Sequence, residues 1–421
     1  MRTLFRWTTL ALMLAATRLA AQTDTLKLSL PETEKRFLEK NLSLIAGKYN
    51  VESAKALIQQ AKLWDNPTLV TDQNVYDQTR KFFYHGPGTG QIFVQLNQVF
   101  KTAGKRGKQV AMATDNAQIQ QKQFDDLMRN LHYNLVLDYY QLAVLQGQSQ
   151  VYDKELAVTK GLITGMEGQY KAGNISLKDL MRIKALEYSL ANDDLELQRQ
   201  LTDIEAELKT LLQLPANQAL DAADPGDQDK TSQPLPADTT LIRMAQNRPD
   251  VLIDHLSALY AADNLRYQKA LAVPDITLGP EFDQNSSYSP NYFGLSISLP
   301  LPVWNLNKGN IKSASFDQKA REAAALESRY RAGADVIAAV NRYKLTEKLY
   351  QDTHADFDQN YDKLFSGMLK SYRQKEVGLV EFIDFFDAYR ETRLKLLQQR
   401  FDVHKAAADV NLNAGNTVIT P

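Results

Sequence analysis

The chain has 421 residues, and its 49 lysine and arginine residues nearly balance its 50 aspartate and glutamate residues, for a net charge of −1. That balance argues against a nucleic-acid partner, which would need a strongly basic face. The chain contains no cysteine, so it has no disulfide and no cysteine for lipid attachment. After residue 21 no apolar run reaches the roughly 18 residues of a membrane-spanning helix, whereas the alternating strands of a membrane barrel would hardly register in hydropathy.

Residues 1–21 are predicted to be a secretory signal peptide. Arg2 and Arg6 flank the start of a short apolar stretch, and Leu19-Ala20-Ala21 offers a small-residue cleavage site. Arg18 is unusual so close to that site. The alternative is an ordinary buried helix, which three arginines around so short an apolar run fit poorly. We therefore expect an exported protein.

The remaining sequence consists of two copies of one plan. Residues 22–214 form the first predicted repeat and residues 239–415 the second, joined by a linker at 215–238 and followed by a tail at 416–421. The linker is rich in Pro, Asp, Gly, Gln and Ala, which is typical of irregular structure. Gly107 and Gly309 are separated by the same number of residues as Tyr170 and Tyr372, which indicates a duplication without net insertion.

Each copy is predicted to contain a helix, two strands, a very long helix, a tight turn and a second long helix. The stretches Lys105–Tyr170 and Lys308–Tyr372 hold roughly 65 residues each, which at about 1.5 Å per residue would span on the order of 100 Å. Leucines recur at the steps of three, four and seven that are typical of a coiled-coil seam. In the second hairpin helix of the first copy these are Leu186, Leu190, Leu197, Leu201, Leu208 and Leu211.

Short segments with period-two alternation predict strands with one apolar and one polar face. The apolar rows are Ile92, Val94 and Leu96; Ile276, Leu278 and Phe282; and Phe293, Leu295, Ile297 and Leu299. The fourth segment, Thr68–Tyr76, alternates poorly. On a membrane barrel the apolar row would face lipid and the polar row water. The alternative is a small soluble sheet with one wet face.

Aromatic residues lie at both ends of these strands, as expected for the two interfaces of a membrane barrel. They are Trp64, Phe100 and Trp304 at the helix-side ends, and Phe82, Phe83, Tyr84, Tyr288 and Tyr292 at the far ends. Four strands cannot close a barrel in lipid, because open edges leave backbone groups unpaired. Two copies would give eight strands around a filled bore, and three would give twelve, so a conduit favours at least three.

The duplication, the Asn66-Pro67 and Val273-Pro274 strand entries and the two tip turns resemble the TolC-like outer-membrane efflux family over essentially the whole mature chain. The resemblance implies a mainly α fold with a small β part. Duplicated helical hairpins would form a periplasmic α-barrel, and a homotrimer would close a twelve-stranded barrel in outer-membrane lipid. It also implies a periplasmic adaptor and an inner-membrane pump as partners.

The segment Leu299–Ile311 is most similar to the branch that serves cobalt-zinc-cadmium and copper-silver efflux. This segment is predicted to form the corner between a strand and a helix and not a substrate site. It therefore does not distinguish between a duct for metal cations, a duct for drugs and a duct for secreted proteins. In each case the chain would be the passive exit duct.

The two tip turns are the predicted adaptor contacts. They comprise Gly173, Asn174, Ile175, Ser176 and Leu177 in the first copy, and Val377, Gly378 and Leu379 in the second. A turn between helices favours glycine because glycine lacks the constraint of a Cβ atom. We therefore expect Gly378, and Gly173 in the first copy, to supply the backbone freedom of these turns.

The predicted periplasmic aperture comprises Asp384, Asp387 and Arg182. The two aspartates are three residues apart and so share one helical face just above the second tip. In a threefold assembly they would form two carboxylate rings that attract cations. The resemblance places the family's aperture aspartates at these positions, and Arg182 is predicted to pair with a carboxylate of an adjacent helix.

No catalytic, cofactor-binding or metal-binding motif is evident, so we expect neither an enzyme nor a resident metal or cofactor. The five histidines form no helical pair, and no P-loop, Rossmann fingerprint or nucleophile elbow occurs. The rival function is a periplasmic coiled-coil structural or adaptor protein that does not span the membrane. The alternating strands with aromatic ends distinguish the two hypotheses.

Overall fold

The computed structural model describes residues 25–86, 90–222 and 234–420. The predicted signal peptide lies outside these residues, as does residue range 223–233 of the predicted linker. The described helices are α1 (Leu30–Lys40), α2 (Leu42–Lys62), α3 (Lys105–Lys171), α4 (Leu177–Leu212), α5 (Asp238–Ala245), α6 (Pro249–Leu271), α7 (Lys308–Arg373) and α8 (Leu379–Ala414). The described strands are β1 (Leu26–Leu28), β2 (Thr68–Gln73), β3 (Tyr76–Asp77), β4 (Lys81–Phe82), β5 (Ile92–Phe100), β6 (Leu220–Ala222), β7 (Ile276–Asn285) and β8 (Pro290–Ser298).

The prediction of a mainly helical fold with a small β part is confirmed. The two very long helices run within two residues of their expected bounds, at Lys105–Lys171 and Lys308–Arg373. Both copies then continue with a helix of 36 residues, α4 and α8. Each of these ends at a residue in the left-handed region, Gln213 in α4 and Gly415 in α8. Among the described residues no helix is both long and apolar enough to cross a membrane.

Two compact units divide the chain, and α2, α3 and α7 contribute to both. One unit combines residues 46–126 and 246–332 and contains the four-stranded sheet. The other combines the described parts of residues 1–45, 127–245 and 333–421 and contains both hairpin tips.

The four-stranded sheet has the order β2-β5-β7-β8, with every neighbouring pair antiparallel. The segment Thr68–Tyr76, predicted as one strand, is divided between β2 and a small β3–β4 hairpin. Strands β2 and β8 form the two edges. Within one chain these edges leave the outward backbone donors and acceptors of the sheet without a strand partner.

Strand register places the predicted apolar rows on one face. Directly paired antiparallel residues project to the same side of a sheet. The pairs that define this side are Leu69↔Leu96, Val94↔Phe282, Phe282↔Phe293, Pro280↔Leu295 and Leu278↔Ile297. This face is open within the chain, since Leu295 is 62 % exposed and Ile297 67 % exposed.

Side-chain hydrogen bonds connect the strands on the opposite, polar face. Gln95 Nε2 donates to Glu281 Oε2 at 3.0 Å, and Gln91 Nε2 donates to Asp283 Oδ1 at 2.8 Å. Gly279 lies beneath this network, where an added Cβ would stand 2.2 Å from Asn97 Oδ1. The polar network therefore closes over a position that has no room for a side chain.

Strands β1 and β6 form a small parallel sheet that the sequence analysis did not predict. Leu26 pairs with Leu220 and Leu28 with Ala222. Gln146 of α3 completes its edge, because Nε2 donates to the Leu220 carbonyl at 2.9 Å and Oε1 accepts from the Ala222 amide at 3.1 Å. A short part of the predicted linker, Leu220–Ala222, is thus a strand held against the first repeat.

Candidate functional site

The first tip turn connects α3 to α4 through five residues. Gly173 has φ +75°, a conformation that residues with a Cβ adopt only at a cost. Ser176 caps α4, because its Oγ accepts from the Asp179 amide at 3.1 Å. The Asn174 amide donates to the Gln169 carbonyl at 2.9 Å, which ties the turn to the end of α3.

The second tip turn has the same layout, but its residues play different roles from those we expected. Lys375 has φ +62° and occupies the place of Gly173 in the first copy. Gly378 is the N-cap of α8, with φ −76° and ψ 157°. The backbone freedom that we expected Gly378 to supply is therefore not used here, since its conformation is accessible to any residue. The strained position is Lys375.

A buried apolar cluster lies beneath both tips. Phe382 and Phe386 of α8 are 1 % and 0 % exposed, and the Phe382 ring stacks on Tyr372 of α7 at 4.6 Å between centroids. Other buried members of the cluster are Leu145, Tyr152, Leu162, Ile163, Met166, Leu180, Ile183, Leu186, Leu190 and Leu197. Val377 and Leu379 of the second tip pack against it partly buried. The start of α8 is thus anchored by aromatic packing.

The predicted aperture residues differ in their surroundings. Asp384 is exposed, and Arg390 Nη2 lies 3.1 Å from Asp387 Oδ1 one turn further along α8. Arg182 is exposed and forms no ion pair with a carboxylate in the part of the chain described here. The first hairpin is instead bridged by Lys184 Nζ, 2.6 Å from Glu167 Oε1. The pairing predicted for Arg182 stays a prediction for the assembled protein.

Glu155 and Thr159 of α3 are polar residues within an otherwise apolar seam. Glu155 is 1 % exposed and Thr159 is 0 % exposed. Neither the Glu155 carboxylate oxygens nor the Thr159 hydroxyl has a hydrogen-bond partner among the described residues. Burial raises the pKa of Glu155 to about 8, with nearby Arg390 opposing that rise and Asp387 adding to it. Glu155 is therefore protonated at neutral pH.

Arg390 and Glu155 are the residues of this region that the sequence analysis did not single out. A signal existed for Arg390, because it follows Asp387 at a spacing of three on one helix. Glu155 could have been found as a carboxylate in the seam that runs through Tyr152, Thr159 and Leu162. Their proximity across α3 and α8 depends on tertiary packing, which has no local sequence signature.

Among the described side chains, which are those of residues 25–86, 90–222, 234–353 and 363–420, no group of three or more metal-ligating side chains is close enough together to hold a metal. The two hairpin tips present charged and apolar surfaces on long helices, with polar turns at the helix ends.

The chain matches the family model described as "Outer membrane efflux protein" over residues 35–213. A curated relative, the cobalt-zinc-cadmium resistance protein CzcC of Cupriavidus metallidurans, is 21 % identical over 88 % of this chain and 86 % of the relative. Among solved structures, the outer-membrane channel OprN has a TM-score of 0.75 at 15 % identity, covering 92 % of this chain and 90 % of that one.

CusC, whose structures concern folding and transmembrane channel formation, has a TM-score of 0.72 at 16 % identity and covers 92 % of each chain. At these identities the structural likeness establishes the fold, and the family match covers the first part of the chain. The predicted resemblance to the TolC-like outer-membrane efflux proteins is therefore confirmed, by family model over residues 35–213 and by fold over most of the chain.

Proposed function

We propose that the chain is the outer-membrane channel component of a tripartite efflux pump, a passive exit duct with a long periplasmic portion. The observation that carries this proposal is the four-stranded sheet with one open apolar face and two open edges. Very long helices continue from that sheet. The family match and the fold of known outer-membrane channels support the same function.

The sheet is proposed to form one third of a twelve-stranded barrel in a homotrimer. In hydrocarbon every backbone donor and acceptor must be paired, so edge strands β2 and β8 need partners from other copies. Pairing of β2 in one copy with β8 in the next would satisfy both edges. The apolar face with Leu295 and Ile297 would then meet lipid, and the hydrogen-bonded polar face would line the bore.

The proposed maturation follows the predicted domain plan. Residues 1–21 would be removed on export, and the two repeats, 22–214 and 239–415, would each supply two strands and one long hairpin. The linker 215–238 would connect the repeats, and the tail 416–421 would follow α8. The Asn411 side chain supports an ordered tail, since its Oδ1 accepts from the amides of Val418 at 2.7 Å and Ile419 at 2.9 Å.

The tips are proposed to dock a periplasmic adaptor, which would connect the duct to an inner-membrane pump. Leu177 at the first tip is 53 % exposed, and Val380, next to Leu379, is 52 % exposed. Apolar side chains at the ends of hairpins whose bases are already packed are suited to a helical partner. The pump would supply the energy, which is consistent with a channel that performs no reaction.

Asp384 and Asp387 are proposed to form carboxylate rings at the aperture of the trimer. Asp387 is paired with Arg390, whereas Asp384 forms no ion pair with any side chain that the structure describes. Rings of this kind attract cations and repel anions. Arg182, exposed on α4, would meet a carboxylate of a neighbouring helix and help hold the aperture shut.

Metal cations are the proposed cargo, on the strength of the likeness to a cobalt-zinc-cadmium resistance protein. Drugs or secreted proteins would pass through the same architecture, because the pump selects what is exported. The described residues contain no metal-holding cluster. Metals would thus cross the duct without being bound by a fixed ligand set.

The competing function is a periplasmic coiled-coil or adaptor protein that stays outside the membrane. The exposed apolar row on β8 disfavours it, because a soluble sheet would cover such a face. Membrane fractionation decides between them: we expect the mature protein in the outer-membrane fraction as an oligomer whose electrophoretic mobility changes on heating. A periplasmic, heat-insensitive monomer would contradict the channel.

A further inference from the structure

Four lysines surround one groove between α6 and the first turns of α7. This lysine groove has a volume of about 350 Å³. Its lining residues are Leu265, Lys269, Lys308, Ile311, Lys312, Ser315, Phe316 and Lys319. All belong to the unit that contains the four-stranded sheet. No carboxylate contributes to its lining.

The ammonium groups of the groove are not paired with carboxylates. Across the described residues, none of the four lysine side chains forms an ion pair or hydrogen bond. Lys308 and Lys312 lie in the first turns of α7, which has no acidic residue in its first turn. The N-terminus of a helix carries a partial positive charge, so lysines there are unfavourable unless an anion offsets them.

The first repeat provides an internal comparison. Its equivalent helix start, at α3, is also basic, but two of its lysines are paired with carboxylates within the chain. Lys105 Nζ lies 2.6 Å from Asp275 Oδ1, Lys101 Nζ lies 3.0 Å from Asp65 Oδ1, and the Arg106 guanidinium lies 3.9 Å over the Trp64 ring. The basic helix start therefore has two carboxylate partners in the first copy, whereas the four groove lysines of the second copy have no ion pair among the described residues.

The floor of the lysine groove is apolar. Phe316 is 59 % exposed, and Lys319 Nζ lies 5.8 Å from its ring centroid. The segment just before α7 is also apolar and open, with Leu301 at 74 %, Val303 at 64 % and Trp304 at 95 % exposure. Exposed tryptophan beside apolar residues at the end of a strand is typical of a membrane–water interface.

We propose that the lysine groove binds the phosphate headgroup of an anionic phospholipid, with Phe316, Leu265 and Ile311 contacting the start of its acyl chains. An amphiphilic anion satisfies both features of the groove: the unneutralised ammonium groups and the apolar floor. A free phosphate would satisfy only the first. The inference rests on the proposed outer-membrane location, where the helix side of the sheet would face the inner leaflet.

The test compares lipid binding by the purified oligomer in detergent. Phosphatidylglycerol, phosphatidylcholine and inorganic phosphate are titrated separately, and bound lipid is counted by native mass spectrometry. The variant is Lys308→Gln, Lys312→Gln and Lys319→Gln combined. Loss of one lysine near an anionic surface lowers the affinity about fivefold, so we expect the loss of three to lower phosphatidylglycerol affinity roughly 100-fold. The control combines Lys344→Gln, Lys348→Gln and Lys363→Gln, three exposed lysines further along α7.

The proposal predicts selective phosphatidylglycerol binding by the wild type and the control, and its loss in the groove variant. Equal binding by all three proteins would overturn it, as would equal binding of phosphatidylcholine. Displacement of bound phosphatidylglycerol by inorganic phosphate alone would show a general anion site and also overturn it. Outer-membrane fractionation and heat-dependent mobility of the same samples test the channel itself, so a failure of lipid binding is distinguishable from a failure of the proposed function.

Discussion

Arg390 Nη2 and Asp387 Oδ1 lie 3.1 Å apart on α8, yet their geometry does not make a hydrogen bond. The two charges are close, but the guanidinium is not aligned with the carboxylate. Such a pair lowers the negative potential at Asp387 without locking the side chain. Arg390 is therefore expected to tune the carboxylate ring that we propose for the aperture.

Arg390→Gln should strengthen cation attraction at the aperture. A unit charge about 4 Å away contributes about 1 kcal/mol in water, so removal of the cation should lower the concentration of multivalent cation needed for block about fivefold. Single-channel recordings with a trivalent cation measure this. Arg400→Gln, further along the same helix, is the matched control. Weaker block in Arg390→Gln than in wild type would contradict the tuning role.

Glu155→Gln should change the pH dependence of stability. Burial raises the pKa of Glu155 from its ordinary value of 4.5 to about 8 in the folded protein, so the folded state holds a proton that the unfolded chain releases. Stability is thus fully present below the unfolded pKa and falls as pH rises from about 4.5 to about 8, by at most about 1.4 kcal/mol per pH unit. The amide cannot ionise, so the variant should lack this loss.

Thermal unfolding midpoints at pH 5 and pH 8.5 provide the measurement for Glu155. The variant should resemble wild type at pH 5 and be more stable at pH 8.5. Asp153→Asn is the control, since Asp153 is exposed on the same helix and its removal leaves the buried carboxylate intact. If the wild type and the Glu155→Gln variant lose equal stability between pH 5 and pH 8.5, Glu155 does not hold a proton in the folded protein.

Leu295→Arg and Ile297→Arg should each impair assembly. Both side chains belong to the exposed apolar face of β8. An arginine on the lipid face near the bilayer midplane costs roughly 2–4 kcal/mol. Ser296→Arg on the same strand projects to the polar face and should assemble. The yield of heat-modifiable oligomer in outer membranes reports the difference, and equal yields for all three variants would show that the apolar row does not face lipid.

The tip proposal predicts contact with a second protein at Leu379. A photoreactive residue at Leu379 should give a crosslink to a periplasmic adaptor. The same residue at Leu345, which is 72 % exposed on α7 outside the tip, should not. Identification of the crosslinked chain by mass spectrometry separates the outcomes. Self-crosslinks alone, in cells whose pump still exports its substrate, would argue against docking at this turn.

Much of the helical fold could be predicted because its signals are local. The leucine spacing predicts α4, and the proline that follows α2 or α6 predicts where that helix ends. Each signal lies within a few residues of the feature it predicts. Three of the four strands were predicted from period-two alternation, whereas β2 belongs to the segment that alternates poorly and is shorter than predicted. The parallel β1–β6 pair could not be predicted, since three-residue strands far apart in sequence have no periodic signal.

The positions of the two tip turns could be predicted from the sequence, but the contacts and backbone conformations within them could not. Both turns lie where the Tyr170 and Tyr372 alignments indicate, because a duplicated hairpin preserves spacing. The left-handed residue at the second tip is Lys375 and not Gly378. Lys375 lies just after α7, where the Lys375 and Glu376 amides donate back to carbonyls of the last helical turn, and such a helix end takes a left-handed residue. The nearness of Glu155 to Arg390 arises from helix packing, which the sequence of either helix alone does not encode.

The central claim is that three copies form a cation-attracting duct, and single-channel recording in planar bilayers tests it most directly. Purified wild-type oligomer should form discrete, cation-selective channels that multivalent cations block. The Asp384→Ala, Asp387→Ala double variant should still form channels but lose both selectivity and block, whereas Asp402→Ala on the same helix should retain them. Absence of channels from the wild-type oligomer would contradict the duct, and unchanged selectivity and block in the double variant would contradict the carboxylate rings.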